Sequence, residues 1–156
     1  MAISGLVRRN GERPKTTSTN PHKQLTQNSP VEIYKKLADR IFSLPGVEEN
    51  VSMVSVPGAR ALWLSNDASI SSKAFMKGRE FAHLHPPEDG SLHLSLPPQL
   101  VEHVIEKGWA EPHPVAMMGF MPANVVMVYA PRNENEIEIV YNIVVVSYQF
   151  AKGELS

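Results

Sequence analysis

The stretch FAHLHPPEDGSLHLSL, residues 81–96, restricts the fold more than any other part of the chain, because apolar and polar side chains alternate along it. Successive side chains of a strand point to opposite faces, so alternation on both sides of a Pro/Gly loop predicts a β-hairpin. Symmetry about the centre of that loop pairs His83 with His93 and His85 with Ser91. The hairpin therefore brings together three of the six histidines of the chain.

Alternation also assigns each side chain of the hairpin to a face. Phe81, His83 and His85 share one face of the first strand, and His93 shares that face from the second strand. Opposed residues on one face have Cβ atoms about 5 Å apart, so the three imidazoles are expected to lie close together. The leucines point to the opposite face, where we expect helices to cover them.

The rest of the chain predicts an α+β fold. The expected order is α-β-β-β-β-α-β-α: a helix capped by Ser29 and ended by Pro45-Gly46, strands over 51–56, 59–64, 81–85 and 91–96, a helix between Pro97 and Gly108, a strand over 125–130, and a final helix after Asn133. Hairpins without regular βαβ alternation predict an antiparallel sheet of about five strands with helices packed on one face.

Composition divides the chain into two parts. Residues 1–29 are rich in polar residues and proline, have no apolar period, and contain more basic than acidic side chains. We expect this N-terminal segment to be a flexible basic arm, followed by one domain over 30–156. His22 falls in the arm and is expected to be inert, while His103 is expected on the exposed side of its helix.

The composition also narrows the function classes. The chain has no cysteine, which excludes disulfides and thiolate metal sites and is compatible with a cytoplasmic location. No apolar run approaches the roughly 18 residues of a membrane span. The net charge is −1 and no phosphate-binding glycine loop is present. We therefore expect neither a membrane nor nucleic acid as a partner, and the sequence makes no prediction of oligomeric state.

The three hairpin histidines allow three interpretations. A His-x-His pair with a facing third histidine is a geometry that binds zinc or non-haem iron. The same imidazoles could instead exchange protons with an organic substrate, because imidazole titrates at about pH 6.5. They could also be solvated residues of a half-exposed sheet.

Four motifs resemble the core of the fungal luciferases, and on them the chain is identified as a member of the luciferase-like domain family. They are REFAHLH at 79–85, SLHLSL at 91–96, KGW at 107–109 followed by His113-Pro114, and YAPRNE at 129–134 followed by Glu136. The resemblance covers about half of the chain, residues 79–151. Two departures stand out: the fungal enzymes have a membrane segment where this chain has its polar N-terminal segment, and an additional histidine where it reads PPEDG.

The resemblance implies an enzyme that adds dioxygen to a hydroxylated α-pyrone (3-hydroxyhispidin), after which the product loses carbon dioxide and emits light. No flavin, nucleotide or ATP is implied. We therefore expect a cofactor-independent oxygenase of the monooxygenase type, acting on a small enolic, α-pyrone or polyketide-like molecule, with light emission as the narrower outcome. The alternatives are a non-catalytic module for a small hydrophobic ligand and a metalloprotein with a divalent metal at the three hairpin histidines.

The expected reaction gives roles to seven residues. An enolate reacts with dioxygen once a base has removed its proton, so His83 or His93 is predicted as the base, while His85 and His113 orient substrate oxygens. The predicted substrate-binding residues are Trp63 and Trp109 as aromatic walls and Arg132 as a partner for negative charge. The methionine-rich stretch 117–121 is expected to form a lid.

Overall fold

The structure is a computed structural model that describes residues 3, 5–52, 54–65, 75–76, 79–114 and 123–155. Its elements are α1 (Val31–Phe42), β1 (Val47–Val51), β2 (Arg60–Leu64), β3 (Glu80–Leu84), β4 (Leu92–Ser95), α2 (Pro98–Glu106), β5 (Ala110–Pro112), β6 (Val125–Val128) and α3 (Glu134–Ala151). The predicted α+β class is confirmed. The stretch 117–121, predicted to be a lid, lies outside the described residues.

Six strands form one antiparallel sheet in the order β1-β2-β3-β4-β6-β5. The prediction of about five strands omitted β5, which pairs with β6 at the sheet edge. This strand has only three residues, too few for an alternating pattern to show. Its omission matters for the site, because Glu111 is its central residue.

The first strand lies earlier in the chain than predicted. The sequence placed it over 51–56, but β1 begins at Val47 and pairs with β2 so that Val51 lies opposite Arg60. All of β1 after Val47 is exposed, and its centre is Glu-Glu-Asn, so no hydrophobic pattern marks it. Arg60 donates to both carboxylate oxygens of Glu49, at 2.7 and 2.9 Å, which couples this polar edge strand to β2.

The hairpin predicted over 81–96 is confirmed. β3 and β4 pair with His83 opposite His93 and Leu84 opposite Leu92. The amide of His85 continues the pairing by donating to the carbonyl of Ser91 at 2.9 Å. The side of β3 and β4 that carries His83 and His93 is the histidine face of the sheet.

Phe81 is the hairpin residue that simple alternation assigned to the wrong face. The register between β2 and β3 shifts after Leu62, which leaves Phe81 as the extra residue of a β-bulge. Its ring lies in the apolar core, with its centroid 6.2 Å from that of Tyr148. The bulge turns Glu80 to the histidine face instead, where its carboxylate contacts His83.

The opposite face of the sheet packs against the helices. Helix α3 contacts β3 and β4, and α1 contacts α3 and β1. The leucines of the hairpin lie in one buried cluster with apolar side chains of α1, α2 and α3, among them Leu37, Val104 and Val140. Two ion pairs, Lys36–Glu134 and Arg40–Glu138, join the outer sides of α1 and α3. This packing leaves the histidine face to be covered from the other side.

Helix α3 begins at the predicted cap. Asn133 is its N-cap, and the side-chain oxygen accepts a hydrogen bond from the amide of Glu136 at 3.0 Å. We expect Asn133→Ala to lower the free energy of unfolding by about 1 kcal/mol in urea denaturation, because a helix-end amide loses its acceptor. Asn135→Ala, which changes an exposed residue inside the first turn, is the control and should not destabilise the chain.

The N-terminal segment is not the free arm that its polar composition predicted. Ile3 and Leu6 are buried in the main core, and Arg9 and His22 are 5% and 2% exposed. Residues 15–25 fold back on themselves, with the amide of Leu25 donating to the carbonyl of Lys15. The segment lies against the domain because its polar groups are hydrogen-bonded to buried polar groups, which a search for apolar periodicity does not detect.

Direct hydrogen bonds fix the N-terminal segment along its length. Its partners lie on β5, in the hairpin loop and before α3: Arg13 donates to Ala110 O at 2.7 Å, Thr16 to Glu111 Oε2 at 2.8 Å, the backbone amide of Gln24 to Asp89 Oδ2 at 3.1 Å, and Ser29 to Pro131 O at 2.5 Å. The bond from Ser29 replaces its predicted role as the cap of α1, which has no side-chain cap.

Candidate functional site

Five of the six histidines meet on the histidine face and form the histidine cluster: His22, His83, His85, His93 and His113. His93 lies at the centre, and its ring centroid is 4.5 to 5.0 Å from those of the other four. The cluster contains all four residues predicted to be catalytic, and it adds the histidine that was expected to be inert. Three chain regions build it: the hairpin, the segment after β5 and the N-terminal segment.

A continuous series of side-chain contacts crosses the cluster from one carboxylate to another. Glu80 Oε2 lies 2.8 Å from His83 Nδ1, and His83 Nε2 lies 3.0 Å from His93 Nδ1. His93 Nε2 then lies 2.9 Å from His22 Nδ1, and His22 Nε2 lies 2.7 Å from Glu111 Oε2. Three imidazoles therefore stand in line between two acidic side chains.

His85 has an acidic partner of its own. Its Nδ1 lies 3.0 Å from Asp89 Oδ2 and 3.1 Å from the hydroxyl of Ser91. Asp89 also accepts from the amides of Ser91 and of Gln24. These bonds hold the pKa of Asp89 below its usual value although burial raises it. The hairpin loop thus supplies an ionised carboxylate that fixes the orientation of His85.

Burial keeps the central imidazoles uncharged near neutral pH. His93 is 3% exposed, and burial together with the four neighbouring imidazoles holds its pKa well below the usual value. Burial also lowers the pKa of His83, although its hydrogen bond with Glu80 acts in the opposite direction. The pKa of His113 falls to about 4, again through burial first. A neutral imidazole has one N–H donor and one lone pair, which is the form that binds metals.

Glu111 is ionised despite its position. Burial raises its pKa, but hydrogen bonds from His22, Thr16 and Tyr129 outweigh that effect and leave the pKa lowered. The hydroxyl of Tyr129 donates to Glu111 Oε1 at 2.9 Å. The N-terminal segment, β5 and the residue that follows β6 therefore meet at this one carboxylate.

A cavity of about 320 Å³ opens beside the cluster. Its lining residues are Asn20, Pro21, His22, Val54, Ser55, Val56, His85, His93 and His113. Six of these nine are polar, and four are imidazoles of the cluster. The cavity thus combines hydrogen-bonding groups with a few apolar contacts, which suits a small polar organic molecule better than a hydrophobic one.

The three predicted substrate-binding residues do not line this cavity. Trp63 lies on β2 and is half-buried. Trp109 is buried in the core, and its indole nitrogen donates to the carbonyl of Val7 at 2.7 Å. Arg132 binds Glu136 and donates to Asn10 O at 2.8 Å. Trp109 and Arg132 anchor the N-terminal segment, so their placement gives no support to a contact with substrate.

Sequence reasoning missed His22, Glu80 and Glu111 as members of the site. Glu80 could have been found only from the bulge, and His22 only from knowledge that its segment folds back. His103, expected on the exposed side of α2, is partly buried, and its Nε2 contacts the carbonyl of Ile3 at 3.1 Å. It lies outside the cluster and therefore serves as a matched control for it.

Among the residues that the structure describes, two overlapping groups of histidines could hold a metal ion. One is His83, His85 and His93, and the other is His22, His93 and His113; within each, the ligand nitrogens lie within 4.8 Å of one another. The first group is the one that the spacing of the hairpin predicted. His93 belongs to both groups.

Comparisons with known proteins give the chain its family. Residues 78–147 match the family model described as Luciferase domain. The chain contains a luciferase-like domain. A luciferase from Neonothopanus nambi is 33% identical to this luciferase-like chain over 143 residues, covering 90% of the chain and 48% of the relative. A luciferase from Armillaria mellea is 42% identical over 78 residues, covering 49% of the chain and 29% of the relative.

The luciferase-like chain spans less than half the length of these relatives. The similarity to the Neonothopanus nambi protein leaves out only a tenth of the chain, so it extends into the N-terminal segment. No solved structure matches the chain. In the part of the chain that the structure describes, no helix has the length and apolar character required to cross a membrane. A cytoplasmic location stays a prediction.

The Arg132–Glu136 pair should make stability depend on pH. Burial raises the pKa of Glu136, but the side chain and amide of Arg132 lower it further than burial raises it. A carboxyl with a lowered pKa stabilises the fold above its unfolded pKa, and this stabilisation is lost as the pH falls through the folded pKa. We expect Arg132→Gln to lower the melting temperature most near neutral pH, and the difference from the parent to shrink between about pH 5 and pH 3. A difference independent of pH would contradict this role.

Proposed function

We propose that this luciferase-like chain is an oxygenase that uses dioxygen to oxidise a small enolic molecule, such as a hydroxylated α-pyrone. The observation that carries the proposal is the cavity bordered by four buried imidazoles in a chain of this family. Its volume lies at the lower end of the range of roughly 300–1,000 Å³ that is usual for small-molecule sites.

The proposed chemistry needs no external electrons. The enol transfers its proton to the histidine cluster, and the electron-rich carbon of the enolate forms a bond to dioxygen. The oxygen is thereby reduced to a peroxide while the carbon is oxidised, and the proton returns to the distal oxygen. Loss of carbon dioxide from this peroxide, with emission of light, is the narrower version of the reaction. Buried imidazoles suit this step because they can hold an anion by hydrogen bonds away from water.

The proposal is tested by mixing the purified chain with hydroxylated α-pyrones in air and recording oxygen uptake and light. We expect oxygen uptake in proportion to substrate consumed, at a rate far above that of the buffer. The same pyrones with the hydroxyl methylated are the matched control, because they cannot form the enolate and should not react. A folded chain that consumes no oxygen with any of the pyrones would refute the proposal.

A further inference from the structure

The outward nitrogens of the cluster are held by acidic side chains. Glu80 binds His83 Nδ1, Asp89 binds His85 Nδ1, and the series through His93 ends where Glu111 binds His22 Nε2. A carboxylate oxygen accepts, so in each of these pairs the imidazole nitrogen carries the hydrogen. A ring that holds its single hydrogen on this nitrogen directs the lone pair of its second nitrogen into the cluster.

The series from Glu80 to Glu111 is one hydrogen short whenever its three imidazoles each carry a single hydrogen. It has four contacts, two between a carboxylate and an imidazole and two between imidazoles. Three neutral imidazoles supply only three N–H groups. When His83 donates to Glu80 and His22 donates to Glu111, His93 has one hydrogen for its two imidazole neighbours. At one of these two contacts, two nitrogen lone pairs then face each other within 3.0 Å. A positive charge at that contact would remove the repulsion.

The contact between His83 Nε2 and His93 Nδ1 is the better place for a cation. His85 is the third possible ligand at this contact. Ring nitrogens of His83, His85 and His93, one from each residue, lie within 4.8 Å of one another. The Nδ1 of His85 is bound to Asp89 and to Ser91, which leaves its Nε2 for the cluster. Two nitrogens bound to one zinc ion at about 2.0–2.1 Å stand roughly 3.0–3.4 Å apart, close to the 3.0 Å seen here.

We infer that His83, His85 and His93 bind one divalent transition-metal ion of the zinc or iron class. Each ligand has an acidic outer partner: Glu80 directly, Asp89 directly, and Glu111 through His22. Such partners fix the ring orientation and the tautomer of a metal-binding histidine. In this arrangement His93 Nε2 donates to His22 Nδ1, and His22 Nε2 donates to Glu111. The N-terminal segment therefore completes the metal site, although it supplies none of the ligands.

The ion would have an open position toward the cavity. His85 and His93 both border the cavity, so a fourth ligand, water or a substrate oxygen, can approach from it. Three protein ligands with one open position are typical of catalytic rather than structural metal sites. This part of the inference rests on the proposed function: a metal ion at that position would bind the enolate oxygen, and His113 would remain to contact the substrate. A metal ion in the site would depart from the expectation of a cofactor-independent oxygenase.

Metal binding is tested on the full chain without a histidine tag. The protein is stripped with a chelator and titrated with Co²⁺, followed by its visible absorption, and with Zn²⁺ by calorimetry. We expect one equivalent of either ion to bind, with visible Co²⁺ bands of a four-coordinate nitrogen site that Zn²⁺ abolishes. Absence of the bands together with absence of binding heat would overturn the inference.

Variants locate the ion within the cluster. We expect His83→Asn and His85→Asn to abolish the Co²⁺ bands, and Glu80→Gln and His22→Gln to weaken affinity by about 10–100-fold without abolishing it. His113→Asn should leave binding unchanged, as should His103→Asn, which removes the histidine outside the cluster. Loss of binding in His22→Gln and His113→Asn, with binding retained in His85→Asn, would overturn the ligand assignment. Thermal unfolding confirms that each variant is folded before titration.

The failure of this inference and the failure of the proposed function give different results. Metal affinity is measured without substrate, and oxygen uptake is measured on stripped and reloaded protein. Oxygen uptake by the stripped protein at the full rate would overturn the role of the metal and leave the oxygenase proposal standing. One tightly bound equivalent of metal ion, without any oxygen uptake by the loaded protein, would support the metal site and refute the proposed function.

Discussion

His93→Gln is expected to lower the rate of oxygen uptake by at least about 100-fold, the scale on which a positioned proton-transfer or binding group contributes to catalysis. His93 lies at the centre of the cluster, borders the cavity, and contacts both His83 and His22 through its two ring nitrogens. Glutamine has a similar reach, but it has no second nitrogen to continue the series from Glu80 to Glu111. Both roles proposed for His93, in proton transfer and in metal binding, are lost with this change.

The matched control for His93→Gln is His103→Gln. His103 is the histidine outside the cluster, and its Nε2 contacts Ile3 O at 3.1 Å. The same substitution there should leave oxygen uptake within about twofold, since it touches neither the cavity nor the cluster. Circular dichroism and thermal unfolding show whether both variants are folded. A folded His93→Gln chain with the rate of the parent would contradict the assignment of the site.

Removal of residues 1–28 is expected to cause the second large effect, a loss of several kcal/mol of folding stability. Ile3 and Leu6 are buried in the core, and burial of a side chain of this size stabilises a fold by about 1.5–3 kcal/mol. The two together give about 3–6 kcal/mol before any hydrogen bond is considered, against a total stability of about 5–15 kcal/mol for a domain. The shortened chain should therefore unfold at a much lower urea concentration than the full chain, or fail to fold.

A point change in the same segment provides the control for the truncation. Leu25 is 56% exposed, so Leu25→Ser should change the free energy of unfolding by no more than about 0.5 kcal/mol. A shortened chain that unfolds cooperatively at the same urea concentration as the parent would show that residues 29–156 fold independently of the N-terminal segment. That result would restore the domain boundary predicted from composition.

The hairpin could be predicted because its signal is local. Alternating side chains over 81–96 set the register, and the facing pair His83 and His93 follows from that register alone. Phe81 shows where this reasoning stops. A β-bulge changes the parity of every residue before it, and it arises from pairing with β2, which alternation within β3 does not reveal. No local sequence pattern therefore predicted that Glu80 lies in the site.

The N-terminal segment could not be predicted, because its order depends on distant partners. Its polar residues look like those of a disordered tail, yet Gln24 and His22 are buried against the hairpin and the cluster. Composition measures how much apolar surface a segment can bury, but it does not measure hydrogen bonds to polar groups elsewhere. Trp109 and Arg132, predicted to bind substrate, contact this segment in the structure through the carbonyls of Val7 and Asn10.

The contacts of the N-terminal segment have a consequence for the order of assembly during synthesis. His22 meets a residue 71 positions later in the chain, and Arg13 meets one 116 positions later. Contacts of such long range require the closure of large loops and form late in folding. The N-terminal segment therefore takes its place only after β5 and the residues that follow β6 have been synthesised. A chain that stops before β5 cannot complete the series from Glu80 to Glu111, because Glu111 lies on that strand.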